Sequence, residues 1–278
     1  MVHSQHVLGA ALRPASRGAA ARPGSDRLLL AGAGGALGAQ VLHGLAASGL
    51  FAHTDVLTTE RMTMALPQVG TAAAGAPQWL PDWPLPPHRF DTAVVMFELP
   101  VSFNGRERAF FTPTPAQLPA LAAWLKRCGV HTLVVVVPHA PGRLPQALKR
   151  GLASLGEQAV ASLGFDRVLL MRSAASAHDA EPAPTRLPEK LARWMLSISS
   201  YMIAAHEQPV RPERVAQFIE AALRVLPVGT FVASSDLLHR ASPAGKSAGA
   251  GSLTMTQLVH DWLADKAISA LAADAPPA

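Results

Sequence analysis

The sequence predicts an α/β chain, three layers built around a doubly wound, mostly parallel sheet. Three observations carry that expectation: a glycine-rich turn between an apolar strand and an amphipathic helix, short β-branched runs alternating with helical periodicity, and strands apolar at consecutive positions.

The first unit is the clearest. Residues 28–31 (LLLA) read as a buried strand, and Gly32, Gly34, Gly35 and Gly38 follow in a tight turn. Leu37, Val41 and Leu45 then recur every four residues along one helical face, and Gly49 sits where such a helix ends. Residues 55–59 read as a second strand. Residues 66–88 carry Pro67, Pro77, Pro81, Pro84, Pro86 and Pro87 and are predicted to be an irregular surface loop.

Residues 91–97 resume a strand, and Leu118, Leu121, Leu125 and Cys128 form a helical stripe closed by Gly129. Residues 131–137 are apolar without alternation, as expected for a parallel strand covered on both faces. A helix over 148–163 and a strand over 166–171 follow. Leu187, Leu191, Met195, Ile198 and Met202 mark one further helix; Pro212 opens another, with Val215, Phe218, Ile219, Ala222 and Leu226 on its core face. Residues 229–233 make a closing strand.

This pattern divides the chain into a disordered leader (1–26), one nucleotide-binding domain (27–240), a small-residue linker (241–251) and a C-terminal helix with its tail (252–278). The leader holds Arg13, Arg17 and Arg22 against one acid, Asp26, a bias shared with transit peptides, but its Pro and Gly content disfavours the amphipathic helix they form. A chain of 278 residues buries one large core without requiring a second domain.

Composition excludes several function classes. The apolar runs are strand-length, far short of the roughly 20 residues a membrane helix needs, so no membrane span is expected. Cys128 is the only cysteine, which rules out an internal disulfide and four-thiolate zinc sites and fits a reducing, cytoplasmic setting. The net charge of +5 comes from 24 scattered Lys and Arg against 19 acids, so solubility explains it and nucleic acid is not an expected partner. His43, His53 and His206 show no ligand spacing, so no metal site is expected, and no Gly-x-Ser-x-Gly nucleophile motif is present.

The chemistry therefore rests on the glycine turn, the hallmark of a Rossmann fold. Glycine there permits positive φ, lets backbone approach a pyrophosphate and allows close helix–strand packing, while the helix N-terminus presents free amides to the diphosphate. Gly32, Gly34, Gly35, Ala36, Leu37 and Gly38 are the predicted phosphate-contacting residues. At the end of the second strand an acid favours the free ribose hydroxyls of NAD, and an arginine favours the 2′-phosphate of NADP. Glu60 and Arg61 stand there side by side; the reading leans to Arg61 and NADP, with two solvated loop residues as the bland alternative.

With these pieces in order, the chain resembles the atypical short-chain dehydrogenase/reductase family, relatives of the sugar-nucleotide epimerases. The resemblance spans 27 to about 240 and is carried by LLLAGAGGALG (28–38), FDTAVVMF (90–97), AWLKRCGVHTLVVVV (123–137) and LGFDRVLLMR (163–172). It implies a nicotinamide cofactor, with Pro138 among the cofactor-binding positions. It also implies a serine past the strand at 131–137 and a Tyr-x-x-x-Lys pair on the next helix, the lysine lowering the tyrosine pKa.

This chain departs at each place. Its only tyrosine is Tyr201, the post-strand segment reads Pro138, His139, Ala140, Pro141, Gly142, and the position four before Lys149 is Pro145. A substitute acid/base pair of His139 and Lys149 is the catalytic expectation that remains. Arg172 is expected at the carboxyl edge of the sheet, to meet a ligand or to pair with a nearby acid. Trp79 and Trp83 are expected to pack over the sheet edge rather than cover a ligand cleft.

Three functions follow. The first is a dinucleotide-binding, regulatory protein with weak or no reductase activity. The second is an active NAD(P)-dependent oxidoreductase that uses His139 and Lys149 on a small molecule the sequence does not name. The third is an interaction scaffold whose C-terminal helix packs on a partner or on another copy of the chain.

Overall fold

The computed structural model describes residues 26–60, 62–66, 68–98, 107–139, 155–174, 210–234, 237–238 and 254–273. Its strands are β1 (Arg27–Ala31), β2 (His53–Thr58), β3 (Val69–Ala73), β4 (Thr92–Met96), β5 (Thr132–His139), β6 (Arg167–Ala174) and β7 (Gly229–Ala233). Its helices are α1 (Gly35–Ala47), α2 (Leu118–Arg127), α3 (Leu155–Ser162), α4 (Pro212–Val225) and α5 (Met255–Ala273).

The strands pair in the order β3-β2-β1-β4-β5-β6-β7, and every pairing is parallel. The chain thus steps outward from β1 through β2 to β3, returns to β4 on the other side of β1, and steps outward again. The direction of winding reverses between β1 and β4, where Leu28 faces Thr92 and Ala31 faces Val95. Ligands of open parallel sheets bind beyond the carboxyl ends of the strands at such a reversal.

Alternating strand residues feed two apolar layers, which is why the strands read as unbroken hydrophobic runs. On one face Leu28, Leu30, Val94, Met96, Val134 and Leu169 pack with Val41 and Leu45 of α1, Phe218 and Ile219 of α4, and Leu258 and Val259 of α5. On the other, Leu29, Val95, Leu133, Val135 and Leu170 pack with Leu121 and Leu125 of α2 and Val160 of α3. Each of these buried apolar side chains contributes about 1.5–3 kcal/mol relative to exposure. The doubly wound, three-layer expectation is borne out.

Two expectations need correcting. Residues 66–88 are not irregular throughout, because Val69–Ala73 forms the edge strand β3, with Val69 opposite Thr54 and Ala73 opposite Thr58. The prolines flank this stretch: none lies between Pro67 and Pro77, so every strand amide there can donate. The rest of the segment carries Trp83, 1% exposed, whose indole N–H donates to the Ala76 carbonyl at 2.8 Å. Its ring meets Phe111 and Trp124 edge-on, with centroids 5.1 and 5.4 Å away. Trp79, by contrast, is 67% exposed rather than packed.

The described first half of the C-terminal helix packs on the sheet and α4 through Leu258, Val259 and Trp262. Trp262 of α5 lies 5.8 Å from the Phe218 ring and 6.1 Å from Phe231. The leader up to residue 25, the expected helix at 187–202 and the 241–251 linker lie outside the described residues. Among the described residues, no helix is long and apolar enough to cross a membrane.

Candidate functional site

The turn from β1 into α1 stands at the winding reversal. Gly32 (φ +81°) and Gly35 (φ +76°) both hold left-handed backbone that a side chain disfavours. The space around each glycine shows what that conformation serves. A Cβ at Gly32 would strike the Met96 carbonyl of neighbouring β4, and one at Gly38 would strike the Ala33 carbonyl, so these two glycines let backbone lie against backbone.

Gly34 occupies the N-cap position of α1 with extended backbone, provides no side-chain cap, and is followed by no acid in the first turn. The cap comes from elsewhere. Glu98, two residues beyond β4, reaches across the reversal, and its carboxylate Oε2 accepts a hydrogen bond from the Leu37 amide at 2.6 Å. The same carboxylate lies over Gly35, where an added Cβ would sit 2.8 Å from Glu98 Cδ and 2.9 Å from Oε2. A carboxylate at the positive end of a helix dipole, accepting a backbone N–H, is a favourable charge-assisted contact.

A second element crosses the strand ends. Phe110 bridges antiparallel to Thr58 at the end of β2. The Phe111 amide donates to the Leu57 carbonyl at 2.9 Å, and the Gly32 amide donates to the Phe111 carbonyl at 2.9 Å. The Thr59 amide likewise donates to Ala109 at 2.7 Å. The Gly32 amide, counted in the sequence among the phosphate donors, is therefore engaged within the protein.

No family model and no curated protein matches this chain. Among solved structures it is similar to the glucuronic acid dehydrogenase of Chromohalobacter salexigens (15% identity, 91% of this chain and 90% of that one, TM-score 0.44). It is also similar to the uronate dehydrogenase of Agrobacterium tumefaciens (16% identity, 91% and 90%, TM-score 0.45). A third is the triphenylmethane reductase of a Citrobacter species complexed with NADP(H) (13% identity, 74% and 68%, TM-score 0.42). The strand order and the two apolar layers decide the fold. The chain has a Rossmann fold.

Of the remaining expected residues, some fall among the described residues and some outside them. Ala36 is exposed on the first turn of α1 and Leu37 half-buried beside it. Glu60 is exposed in the bend after β2, and Arg61 lies outside the described residues. Pro138 and His139 end β5, in register with Ser173 and Ala174 of β6, while Lys149 lies outside the described residues. Arg172 does meet an acid: its guanidinium donates to Glu157 of α3 at 2.8 Å, with both side chains buried.

Two further features lie away from the crevice. Asp55, near the start of β2, sits 3.4 Å from both Arg27 and His53, and Gly70 of β3 leaves room for that cluster. A cavity of about 320 Å³ is lined by Asp55, Thr71, Pro84, His88 and Phe90 among others, and none of its walls comes from the glycine turn. Among the described residues, no group of three His, Cys, Asp or Glu is placed to hold a metal.

Sequence reasoning missed Glu98 and residues 109–111 as parts of the site. The only available signal was position, since Glu98 is the first acid after the apolar strand that borders the glycine turn.

Proposed function

We propose that this chain is a nicotinamide-dinucleotide-binding protein of the atypical short-chain dehydrogenase/reductase kind, regulatory in role and with weak or no reductase activity. One observation carries the reading: the glycine turn and the α1 N-terminus stand at the β1–β4 reversal, and an anionic group already sits on the Leu37 amide. A cradle that holds a carboxylate has the polarity a diphosphate needs. Gly34, Gly35, Ala36, Leu37 and Gly38 would line the diphosphate, and Pro138 the nicotinamide side. Preference for NADP over NAD rests on Arg61, which follows Glu60 at the end of β2.

Weak chemistry follows from the residues at hand. Tyr201 lies far along the chain from the Tyr-x-x-x-Lys position, and Pro145 stands four before Lys149. His139 and Lys149 remain the substitute acid/base pair, to be tested by His139→Ala and Lys149→Ala in a panel of carbonyl and alcohol substrates. Turnover abolished by either change makes the protein an oxidoreductase; turnover that survives both removes that assignment.

A second reading, an interaction scaffold without cofactor, is favoured by the same contacts seen from the other side: Glu98 and Phe111 engage amides that a dinucleotide would use. Titration of the purified protein with NADPH and NADH, followed by calorimetry, separates the two. Saturable binding supports the first reading, and absence of binding by either cofactor, in the native chain and with Glu98 neutralised, supports the second.

A further inference from the structure

We propose that Glu98 is a resident anion in the diphosphate cradle, an autoinhibitory contact that nucleotide must displace in order to bind. The inference rests on the reading of the crevice as a dinucleotide site and adds to it a residue that sets its affinity.

The first turn of a helix presents N–H groups without intrahelical partners, and in the glycine-turn folds those groups receive the diphosphate. Here Leu37 N–H points at Glu98 Oε2 at 2.6 Å, a short contact of the charge-assisted kind. The carboxylate also fills the space over Gly35, the position where a missing side chain would let phosphate approach. One N–H cannot serve both anions, and a carboxylate and a diphosphate repel each other in the same few cubic ångströms.

Geometry supports a replaceable plug rather than a buried strut. Glu98 lies beyond the end of β4, is only half-buried, and approaches Gly35 with the far end of a flexible side chain. The two glycines that meet backbone instead, Gly32 against Met96 and Gly38 against Ala33, are fixed parts of the fold. The turn therefore combines a rigid frame with one removable acidic side chain.

The test compares the full-length chain with Glu98→Gln, which keeps an acceptor for the Leu37 amide but removes the charge. NADPH, NADH and inorganic pyrophosphate are titrated by calorimetry at low salt. The expected result is about tenfold or greater tightening of NADPH and pyrophosphate in Glu98→Gln, the size of one charge-assisted hydrogen bond. Should Glu98→Gln not melt cooperatively, Glu98→Ala, which removes both the charge and the acceptor, is titrated in its place and is expected to tighten both ligands too.

Equal affinity in both proteins overturns the plug while leaving the dinucleotide site intact. Weaker binding in the variant overturns it as well, making Glu98 a ligand for a cofactor hydroxyl. No binding of any of the three probes to either protein overturns the underlying reading of the crevice, and the plug with it.

Discussion

The Arg172 guanidinium on β6 donates to the Glu157 carboxylate on α3 at 2.8 Å, and each side chain is only 4% exposed. Removing one partner of such a pair takes the close opposite charge from a buried one, which costs up to about 3–5 kcal/mol, whereas replacing both with apolar residues of similar size is far milder. Arg172→Met alone should therefore lower the urea midpoint strongly, and Arg172→Met with Glu157→Leu should recover most of the loss. Urea melts of the two singles and the double check this; a double variant as unstable as the worse single would contradict it.

Gly32 is held by backbone on two sides, the Met96 carbonyl over its Cα and the Phe111 carbonyl on its amide. Its φ of +81° and the Met96 carbonyl that a Cβ would strike predict that Gly32→Ala costs roughly 2–4 kcal/mol even without nucleotide. Gly35→Ala, whose nearest neighbour is the flexible Glu98 side chain, should cost about 1 kcal/mol, from its positive φ. Thermal melts of the apo proteins distinguish the two. Consequently, a loss of cofactor binding in Gly32→Ala reports damage to the fold and does not locate a phosphate contact.

Cys128, at the end of α2, is 3% exposed; burial pushes its thiol up to about 12 from an ordinary value of 9.0, and the adjacent Arg127 cation offsets part of the rise. The native protein at pH 8 should therefore resist thiol-specific reagents that label it promptly in denaturant. Because the folded value lies above the unfolded one, the thiol's contribution to stability is fully present below pH 9 and is lost as pH rises through 12. Labelling rates in buffer and in guanidinium check the first point, and Cys128→Ala, which should flatten the alkaline loss of stability, checks the second.

Much of the fold was legible because its elements carry their own period. The β1–α1 unit, α2 with its Leu118, Leu121 and Leu125 stripe, and α4 with Phe218 and Ile219 all bury the faces their spacing indicates. The edge strand β3 was not, since the surrounding prolines outweighed a proline-free stretch with only one buried β-branched residue, Val69. The expectation for Trp83 held and that for Trp79 did not, because two tryptophans four apart in an irregular segment carry no period to separate buried from exposed.

The site was legible as a place and not as a set of contacts. Glycine spacing located the turn, but the partner of the Leu37 amide is 61 residues away, and nothing in local pattern marks a lone acid after a strand as a helix cap. The same holds for Phe111, whose carbonyl takes the Gly32 amide only because the chain returns across the ends of β1 and β2. Arg172 stood open between ligand and acid for a similar reason, as Glu157 lies on the preceding helix rather than beside it in sequence.

If nucleotide phosphate binds at the α1 N-terminus as proposed, the Leu37 amide reports on it directly. Protein labelled with ¹⁵N-leucine is titrated to saturation with NADPH while the amide spectrum is followed. The Leu37 resonance is expected to move with ligand concentration as Glu98 gives way to phosphate, while that of Leu258 in α5 stays in place. A Leu37 resonance unmoved at saturating NADPH would contradict it.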